Sequence, residues 1–452
     1  FVDMSPGKDQ EYFCDGIAEE LINALTQVKD LRVVARTSAF QFREKGYDIH
    51  EVGEKLKVQT VLEGSVRKAG NRLRITAQLV NVVDGYHLWS ERFDREMDDI
   101  FAIQDEITMA IVRRLRPTLL GEEKARIVKR QTIDFEAYNL CLKGRYFWNR
   151  QTAKALEKAI RYYSEAIETD PGCALAYTGL ADCYIQLPFY SISPPNEVYP
   201  RAREAVLNAL ENDDKLAEAH VSAAYMKTIY EWDWEYAERE FKRAIELNPG
   251  YATAHHWYAY HLFFMARFDE AIAEMRRALE LDPLSLIINR EVGLVFTYAR
   301  RYDEAIEALE KTIEMDPGFV GTHYLLGIAY LQKSMHEEAI RAFEREKELP
   351  ISFDPHREGW IGARYGAMGK IDEAKKTLNA LLGRLKQEYV SPFILGVMYL
   401  VIGESDEGFE WLDKAYEEKD PWLCFLKIEP TLDSVRSDPR YNTLLKKIRL
   451  DT

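Results

Sequence analysis

Leu247-Asn248-Pro249-Gly250 recurs as Leu281-Asp282-Pro283-Leu284 and again as Met315-Asp316-Pro317-Gly318, with the prolines evenly spaced. An even interval of about 34 residues marks an internal repeat. Between successive prolines the sequence has two short stretches of helical periodicity, for example 254–265 and 268–281. Such a pair of amphipathic helices cannot bury its apolar face alone, so neighbouring pairs must stack. The spacing therefore predicts an all-α superhelical solenoid with a concave groove.

Small residues recur where the two helices of a pair must approach closely. The eighth position of the repeat holds Ala259, Gly293 and Gly327, and a bulky residue and a closing proline recur further on. This combination resembles the tetratricopeptide repeat, which implies a surface for protein interaction. We predict about eight such repeats over 134–422, followed by a C-terminal capping helix over 423–452. In the four regular repeats the twentieth position holds Ala237, Ala271, Ala305 and Ala339.

Composition indicates the class of protein. The chain has 452 residues, more than one hydrophobic core usually supports, and 47% apolar with 30% charged residues is typical of a folded protein. Its formal net charge of -15 disfavours nucleic acid or anionic lipid as the main partner, and no apolar run is long enough to predict membrane insertion. Five scattered cysteines without a CxxC pair predict buried thiols rather than disulfides or a zinc site.

The first 120 residues have a different pattern. Helical periodicity marks the beginning and end of this region, and a period of two marks its middle. Two predicted strands flank the turn Ala69-Gly70-Asn71, a third follows Asp84-Gly85, and a helix is predicted over 98–119. We therefore predict an α/β domain with an antiparallel meander over 1–120. A helix-prone, charged linker over 121–133 should hold it in a defined relation to the solenoid.

Four segments of this domain resemble the TolB amino-terminal type of domain. In bacterial signalling proteins such a domain is often followed by tetratricopeptide repeats, behind adenylate cyclase, serine/threonine kinase or winged-helix DNA-binding domains. The family's first strand would lie before Phe1, so we expect it to be truncated here and a further segment to precede it. The four segments are DGIAEEL (15–21), RVVARTSAF (32–40), VLEGSVR (61–67) and DGYHLWSERFD (84–94).

The resemblance to tetratricopeptide repeats also implies which side chains face the groove, since four positions of each first helix point inward in that family. The groove so predicted is aromatic and apolar, and it lacks the Lys and Asn pattern with which carboxylate-clamp repeats grip chaperone tails. Such a stripe either packs as core or binds a partner helix or extended segment, and we predict binding. The predicted groove residues are Tyr138, Trp148, Met226, His256, Tyr260, Phe263, Arg290, Leu294, Tyr324, Ile328, Leu331, Trp360 and Phe393.

Motifs of catalysis are missing from the sequence. It contains no phosphate-binding GxxxxGK[ST] loop, no HExxH, no GxSxG and no kinase HRD or DFG motif. His256 and His261 are five positions apart and diverge on a helix, whereas two metal ligands would stand four apart. We therefore predict no catalytic residues, no metal site and no cofactor.

Two functions remain open from the sequence. The first is a cytoplasmic, non-catalytic interaction and regulatory module of a bacterial signalling protein, whose groove binds a protein or peptide segment of another molecule or of the same one. The alternative is a periplasmic, TolB-like scaffold of envelope assembly. Neither predicts that this part of the protein binds nucleic acid, and the oligomeric state is left open.

Overall fold

A computed structural model describes residues 1–28, 31–43, 47–96, 100–115, 134–150, 152–190, 192–349 and 355–451. The linker predicted over 121–133 and both ends of the helix predicted over 98–119 lie outside these residues. Most of the described chain is helical, with one small sheet near the amino terminus. This arrangement confirms the predicted fold class, an α/β domain followed by a helical solenoid.

The sheet of the amino-terminal domain has four strands in the order β1-β2-β3-β4: β1 (Val2–Asp3), β2 (Thr60–Ala69), β3 (Arg72–Asn81) and β4 (His87–Glu96). β2 and β3 are antiparallel, as are β3 and β4, whereas β1 runs parallel to β2. Gly70, with a φ of 59°, turns β2 into β3, which is a backbone conformation that glycine adopts easily. The antiparallel meander read from the alternating pattern is thereby confirmed.

Four helices accompany the sheet: α1 (Glu11–Thr26), α2 (Arg36–Ala39), α3 (Ile49–Leu56) and α4 (Ile100–Leu115). Leu73, Ile75 and Ala77, which alternate along β3, are buried in one core with Ile17 of α1 and Ile107 of α4. Burying one such side chain contributes about 1.5–3 kcal/mol. The alternation of β3 therefore fixes which face of the sheet carries the helices.

In the described residues eight helix pairs follow, and the two helices of each pair pack against each other. The first pair is continuous with the amino-terminal domain, because Leu142 belongs to the core of that domain and lies against Gly16. The pairs are α5 (Phe135–Trp148) and α6 (Ala153–Thr169), α7 (Ala174–Gln186) and α8 (Pro195–Asn212), α9 (Ala217–Met226) and α10 (Trp234–Leu247), α11 (Ala252–Phe264) and α12 (Phe268–Leu281), α13 (Leu286–Tyr298) and α14 (Tyr302–Met315), α15 (Thr322–Gln332) and α16 (His336–Lys347), α17 (Pro355–Ala367) and α18 (Ile371–Arg384), and α19 (Pro392–Val401) and α20 (Ser405–Glu417).

The small residues of the repeat are where the paired helices touch. A Cβ on Gly293 would lie 2.4 Å from Leu309 Cγ, and one on Gly327 would lie 2.5 Å from Phe343 Cε1. Real Cβ atoms do not approach carbon atoms so closely, because dense interiors leave no room for an added methyl group. The glycines therefore set the distance between the helices of a pair.

A left-handed residue ends the first helix of most pairs. Ala266, Arg300 and Ser334 have φ values of 63°, 61° and 62° and stand one repeat apart, and Gly369 and Gly403 serve the same role further on. This backbone conformation reverses the chain after a helix, and it suits glycine better than other residues. The repeat is thus visible in the backbone as well as in the side chains.

The chain after α20 forms two 3-10 segments, Pro421–Phe425 and Pro430–Val435, and then the helix α21 (Pro439–Lys447). α21 lies against the last pair, where Lys447 Nζ is 2.6 Å from Asp413 Oδ1 and Arg440 Nη1 is 2.8 Å from Asp406 Oδ1. The structure thus differs from a single capping helix over 423–452. The capping helix is nine residues long, and the residues before it form the two 3-10 segments instead.

Candidate functional site: a chamber inside the solenoid

Residues 420–435, here called the inner segment, lie against the first helices of the solenoid. The ring centroid of Phe425 is 5.9 Å from that of Phe263 and 5.1 Å from that of Phe264, both on α11. Trp422 is 5.8 Å from Trp360 on α17, measured between ring centroids. The concave side is therefore partly occupied by the chain's own aromatic side chains.

A buried ion pair holds the inner segment in place. Arg364 on α17 donates from Nη1 to Oε1 of Glu429 at 2.5 Å and from Nη2 to Oε2 at 3.0 Å. Tyr298 on α13 donates to the same carboxylate at 3.0 Å. Burial opposes ionisation of Glu429, but the Arg364 guanidinium outweighs it and holds the pKa of this carboxyl below its usual value. Three distant parts of the chain meet at this one carboxylate.

The amino-terminal domain contacts the solenoid through residues 32–41, here called the contact segment. The backbone N–H of Ala35 donates to Leu281 O at 2.8 Å. Ser38 donates to Asp282 Oδ1 from its backbone nitrogen at 2.9 Å and from Oγ at 2.5 Å, and Leu284 N donates to Ser38 Oγ at 2.7 Å. Buried hydrogen bonds to a carboxylate are among the stronger ones. These hydrogen bonds join the amino-terminal domain to the solenoid, and the linker predicted to hold the two in a defined relation lies outside the described residues.

Between these parts lies a chamber of about 690 Å³, a size typical of small-molecule sites. Its wall is formed by three parts of the chain that are far apart in sequence. The amino-terminal domain contributes Glu19, Arg36 and Thr37; the first helices contribute His256, Tyr260, Leu294 and Tyr324 among others; and the inner segment contributes Trp422 and Phe425.

Charged side chains in the wall are mostly paired with each other. His256 Nε2 lies 2.5 Å from Glu291 Oε2, and Arg290 Nη2 donates to the other oxygen of Glu291 at 2.7 Å. Burial works against the charge of Glu291, yet His256 and Arg290 together lower its pKa to about 2. Near the amino-terminal domain, Arg145 Nη1 and Arg36 Nε lie 3.1 and 3.2 Å from Glu19. These pairs neutralise much of the wall.

Asp182 is a wall carboxyl without an ion pair among the described residues. Burial raises its pKa to about 7, against the hydrogen bond that Ser222 Oγ donates to Oδ1 at 2.5 Å and the more remote charge of Arg145. At neutral pH this carboxyl is therefore close to half protonated. It can donate or accept a proton in a hydrogen bond near pH 7.

The structure places part of the predicted groove in the wall of the chamber. These residues share a position on the inner side of a first helix, as the register of the repeat predicted. Whether they bind a partner stays a prediction. The residues are Trp148, His256, Tyr260, Arg290, Leu294, Tyr324 and Trp360.

The remaining predicted groove residues do not line the chamber. Tyr138 faces the amino-terminal domain, where its hydroxyl accepts from Gln104 Nε2 at 2.5 Å. Met226, Phe263, Ile328 and Phe393 are at most 2% exposed, because neighbouring helices or the inner segment cover them. Leu331 is half-buried against the core of the repeats and away from the chamber.

Sequence reasoning missed the residues that close the chamber. Trp422 and Phe425 follow the last repeat in the run PWLCF (421–425), which is too apolar for an exposed cap. That composition was a usable signal that the segment is buried. No comparable signal joined Arg364 to Glu429, which are 65 residues apart.

The histidines near His256 have partners of their own. His261 Nδ1 lies 2.9 Å from Thr228 Oγ1, and Nδ1 of the neighbouring His255 lies 2.6 Å from Glu274 Oε2. In the part of the chain that the structure describes, no group of three or more His, Cys, Asp or Glu side chains is arranged to hold a metal. Among the same residues, no helix combines the length and apolar character needed to span a bilayer.

Family models match two parts of the chain. The tetratricopeptide repeat model matches residues 233–285, 259–318 and 290–350. The model of the second domain of HilA/YgeH-like transcriptional regulators matches residues 7–110. Residues 7–110 are therefore similar to that domain, and tetratricopeptide repeats follow them. The predicted repeats are confirmed, and the resemblance of the first domain to the TolB type stays a prediction.

Two kinds of relative are similar to the chain. A putative adenylate cyclase 3 of Rhizobium meliloti is 44% identical over 181 residues, which is 40% of this chain and 31% of the relative. The transcriptional regulator HilA of Salmonella typhimurium is 25% identical over 227 residues, which is 50% of this chain and 40% of the relative. The matched part is thus well under half the length of either relative.

Solved structures of helical repeat proteins are also similar in part. The human IFIT1 dimer with m7Gppp-AAAA has 16% identity and a TM-score of 0.47, covering 70% of this chain and 77% of that one. YrrB, described as a TPR protein with an unusual peptide-binding site, has 21% identity and a TM-score of 0.31, covering 42% and 92%.

Proposed function

We propose that this chain is the non-catalytic regulatory module of a bacterial signalling protein, and that the segment held by its concave side is intramolecular. The ion pair of Arg364 with Glu429 carries this proposal, because it fixes the inner segment where an external peptide would otherwise lie. On this proposal the solenoid clamps its own chain at two places: Arg364 holds the inner segment, and Asp282 holds the contact segment. An external partner would have to displace the inner segment or bind elsewhere.

The similarity to two relatives with different names supports a regulatory role. One is named an adenylate cyclase and the other a transcriptional regulator, and this chain is similar to part of each. A module found beside different outputs is suited to controlling them rather than to performing either reaction. We propose that the chain itself has no enzymatic activity and that its acidic surface does not bind nucleic acid.

We also propose that the module works in the cytoplasm. All five cysteines are free and buried, which suits a reducing compartment. The periplasmic scaffold suggested by the TolB-like resemblance is the second candidate. Fusing the coding sequence in its natural context to a reporter active on only one side of the membrane distinguishes the two locations.

The contact between Ser38 and Asp282 offers a direct test of the clamp. Asp282→Asn removes the negative charge that accepts two hydrogen bonds from Ser38. We expect amide hydrogen exchange of residues 35–39 to accelerate by at least about tenfold, which corresponds to about 1.4 kcal/mol of lost contact. In a protein that joins this chain to an output domain, the same variant should change the output.

Asp316 provides a matched control. It occupies the same position in the next repeat, but it accepts from Gly318 N at 2.8 Å within its own turn. Asp316→Asn should leave both the exchange of residues 35–39 and the output unchanged. Equal effects of the two variants, or no effect of Asp282→Asn, would overturn the clamp.

A further inference from the structure

One end of the chamber has an arginine whose donors are mostly unmatched. The Arg357 side chain on α17 is 9% exposed and lines the chamber, and its Nε and Nη1 atoms have no hydrogen-bond acceptor among the described residues. Nη2 makes an ion pair of 3.3 Å with Glu358 Oε1. A buried cation with unmatched donors is costly, so the site is suited to an acceptor from outside the chain.

Two tryptophan side chains beside Arg357 also have an N–H group without an acceptor among the described residues. Trp360 lies one turn after Arg357 on α17, and the ring of Trp422 lies 5.8 Å from that of Trp360. The Nε1 atoms of both tryptophans are buried and meet no acceptor in the described ranges, and both side chains line the chamber. The unmatched atoms of these three side chains are donors, so the complementary group is an acceptor, most favourably an anion.

Aromatic rings continue the wall away from this cluster. Phe189 lies 5.8 Å from Trp422 and 6.5 Å from Tyr225, and Tyr225 lies 4.4 Å from Trp257, all between ring centroids. These four side chains line the chamber. Flat apolar surfaces of this kind bind planar apolar groups by stacking or edge contacts. The site therefore combines one anion-accepting end with a wall for a planar body.

We propose that the chamber binds a small organic anion with a planar apolar body. Its acidic group, a carboxylate, sulfonate or phosphate, accepts hydrogen bonds from Arg357, Trp360 and Trp422, and its body lies against Tyr225 and Trp257. The charged pairs elsewhere in the wall already satisfy each other, which leaves the Arg357 cluster as the end that selects the charge.

This inference deepens the proposed function and rests on it in one respect. The chamber wall includes the contact segment and the inner segment as well as the repeats. A ligand in the chamber is enclosed by all three, so it binds the closed arrangement better than an open one and stabilises the closed arrangement by mass action. The anion would then be the signal that the module senses.

The dye 8-anilinonaphthalene-1-sulfonate is a suitable probe, because it joins a sulfonate to a planar apolar body. N-phenyl-1-naphthylamine is the same body without the charge. Titration of the whole chain, followed by dye fluorescence and calorimetry, should show one saturable site for the sulfonate. We expect Arg357→Gln to weaken that binding at least about tenfold and to leave binding of the uncharged dye within about twofold.

Two further variants separate the acceptor requirement from general packing. Trp360→Phe keeps an aromatic ring and removes the N–H, so it should weaken the sulfonate several-fold more than the uncharged dye. Arg341→Gln removes a surface cation from α16 and should change neither affinity. Equal affinities for the two dyes, no saturable site, or equal effects of Arg357→Gln and Arg341→Gln would overturn the proposal.

A separate measurement tests whether binding of the anion stabilises the clamp. In the wild-type chain, saturating sulfonate dye should slow amide exchange of residues 35–39, and Arg357→Gln should abolish that protection. Binding that depends on Arg357 without any protection would leave the anion site standing and overturn its regulatory role. The comparison of Asp282→Asn with Asp316→Asn without dye tests the clamp alone, so the two failures are distinguishable.

Discussion

Removal of Arg364 should release the inner segment. The side chains of Arg364 and Glu429 are 1% and 0% exposed, so Arg364→Met leaves a buried carboxylate without its cation. Tyr298 and the backbone and hydroxyl of Thr431 still donate to it, but they carry no charge. Breaking one side of a buried pair costs about 3–5 kcal/mol. We expect a loss of that size in the local stability of residues 428–432.

Native-state hydrogen exchange measures this local free energy of opening, and limited proteolysis after residue 419 provides a second readout. The double variant Arg364→Met with Glu429→Leu removes both charges, so it should cost less than Arg364→Met alone. Arg161→Met serves as the control, since its pair with Glu165 is 60% and 44% exposed and contributes under about 1 kcal/mol. Additive costs of the two substitutions, or a loss no larger than that of Arg161→Met, would refute the reasoning.

The ion pair also sets a pH dependence. The folded pKa of Glu429 lies below its unfolded value, so the folded chain binds this proton less readily than the unfolded chain does. Its stabilising contribution is therefore fully present above the unfolded pKa and is lost as pH falls through the folded pKa. The protection of residues 428–432 should decline in acid in the wild type, and the double variant should lose this part of the decline.

Three further predictions concern packing, titration and thiol access. Gly327→Ala should lower the free energy of unfolding in urea by about 1–3 kcal/mol, because its methyl group meets Phe343. Gly383→Ala has open space around it in the described chain, so it should be neutral or stabilising by up to about 1 kcal/mol. Equal effects of the two variants would contradict the close approach. Burial raises the pKa of Asp420 to about 6, so the stability of the wild type should fall as pH rises from about 4 to 6. Asp420→Asn should flatten that slope whatever its mean stability. An unchanged slope would contradict the raised pKa of Asp420. The five buried cysteines should resist a thiol reagent until the chain unfolds, and rapid labelling of the native chain would contradict their burial.

The repeats could be predicted from the sequence because their information is local. The even spacing of the prolines, Gly293 and Gly327 depend only on contacts between helices that are adjacent in sequence. The period of two likewise predicted the strands of the antiparallel meander. Patterns of this kind are repeated or periodic, and one sequence contains enough copies to reveal them.

The chamber was only partly predictable, for a physical reason. The register of the repeat predicted that His256 and Tyr260 face inward. It could not show which other residues cover the inner side of the helices. Met226 and Phe263 fit the inward pattern equally well, and they are buried because other parts of the chain reach them. Contacts such as that of Arg364 with Glu429 join segments that occur once in the chain, so no periodic pattern predicts them.

The inner segment also bears on how the chain folds during synthesis. Helix pairs form from neighbouring residues, but Cys424 contacts Thr228 and the Trp234 indole contacts Ile448, across 196 and 214 residues. The aromatic side chains near α11 remain exposed to solvent until the residues after α20 have left the ribosome. Docking of the inner segment is therefore a late and slow step of folding. A chain stopped at residue 418 would keep its helices and expose that lining, and it should be the form that chaperones hold and that aggregates.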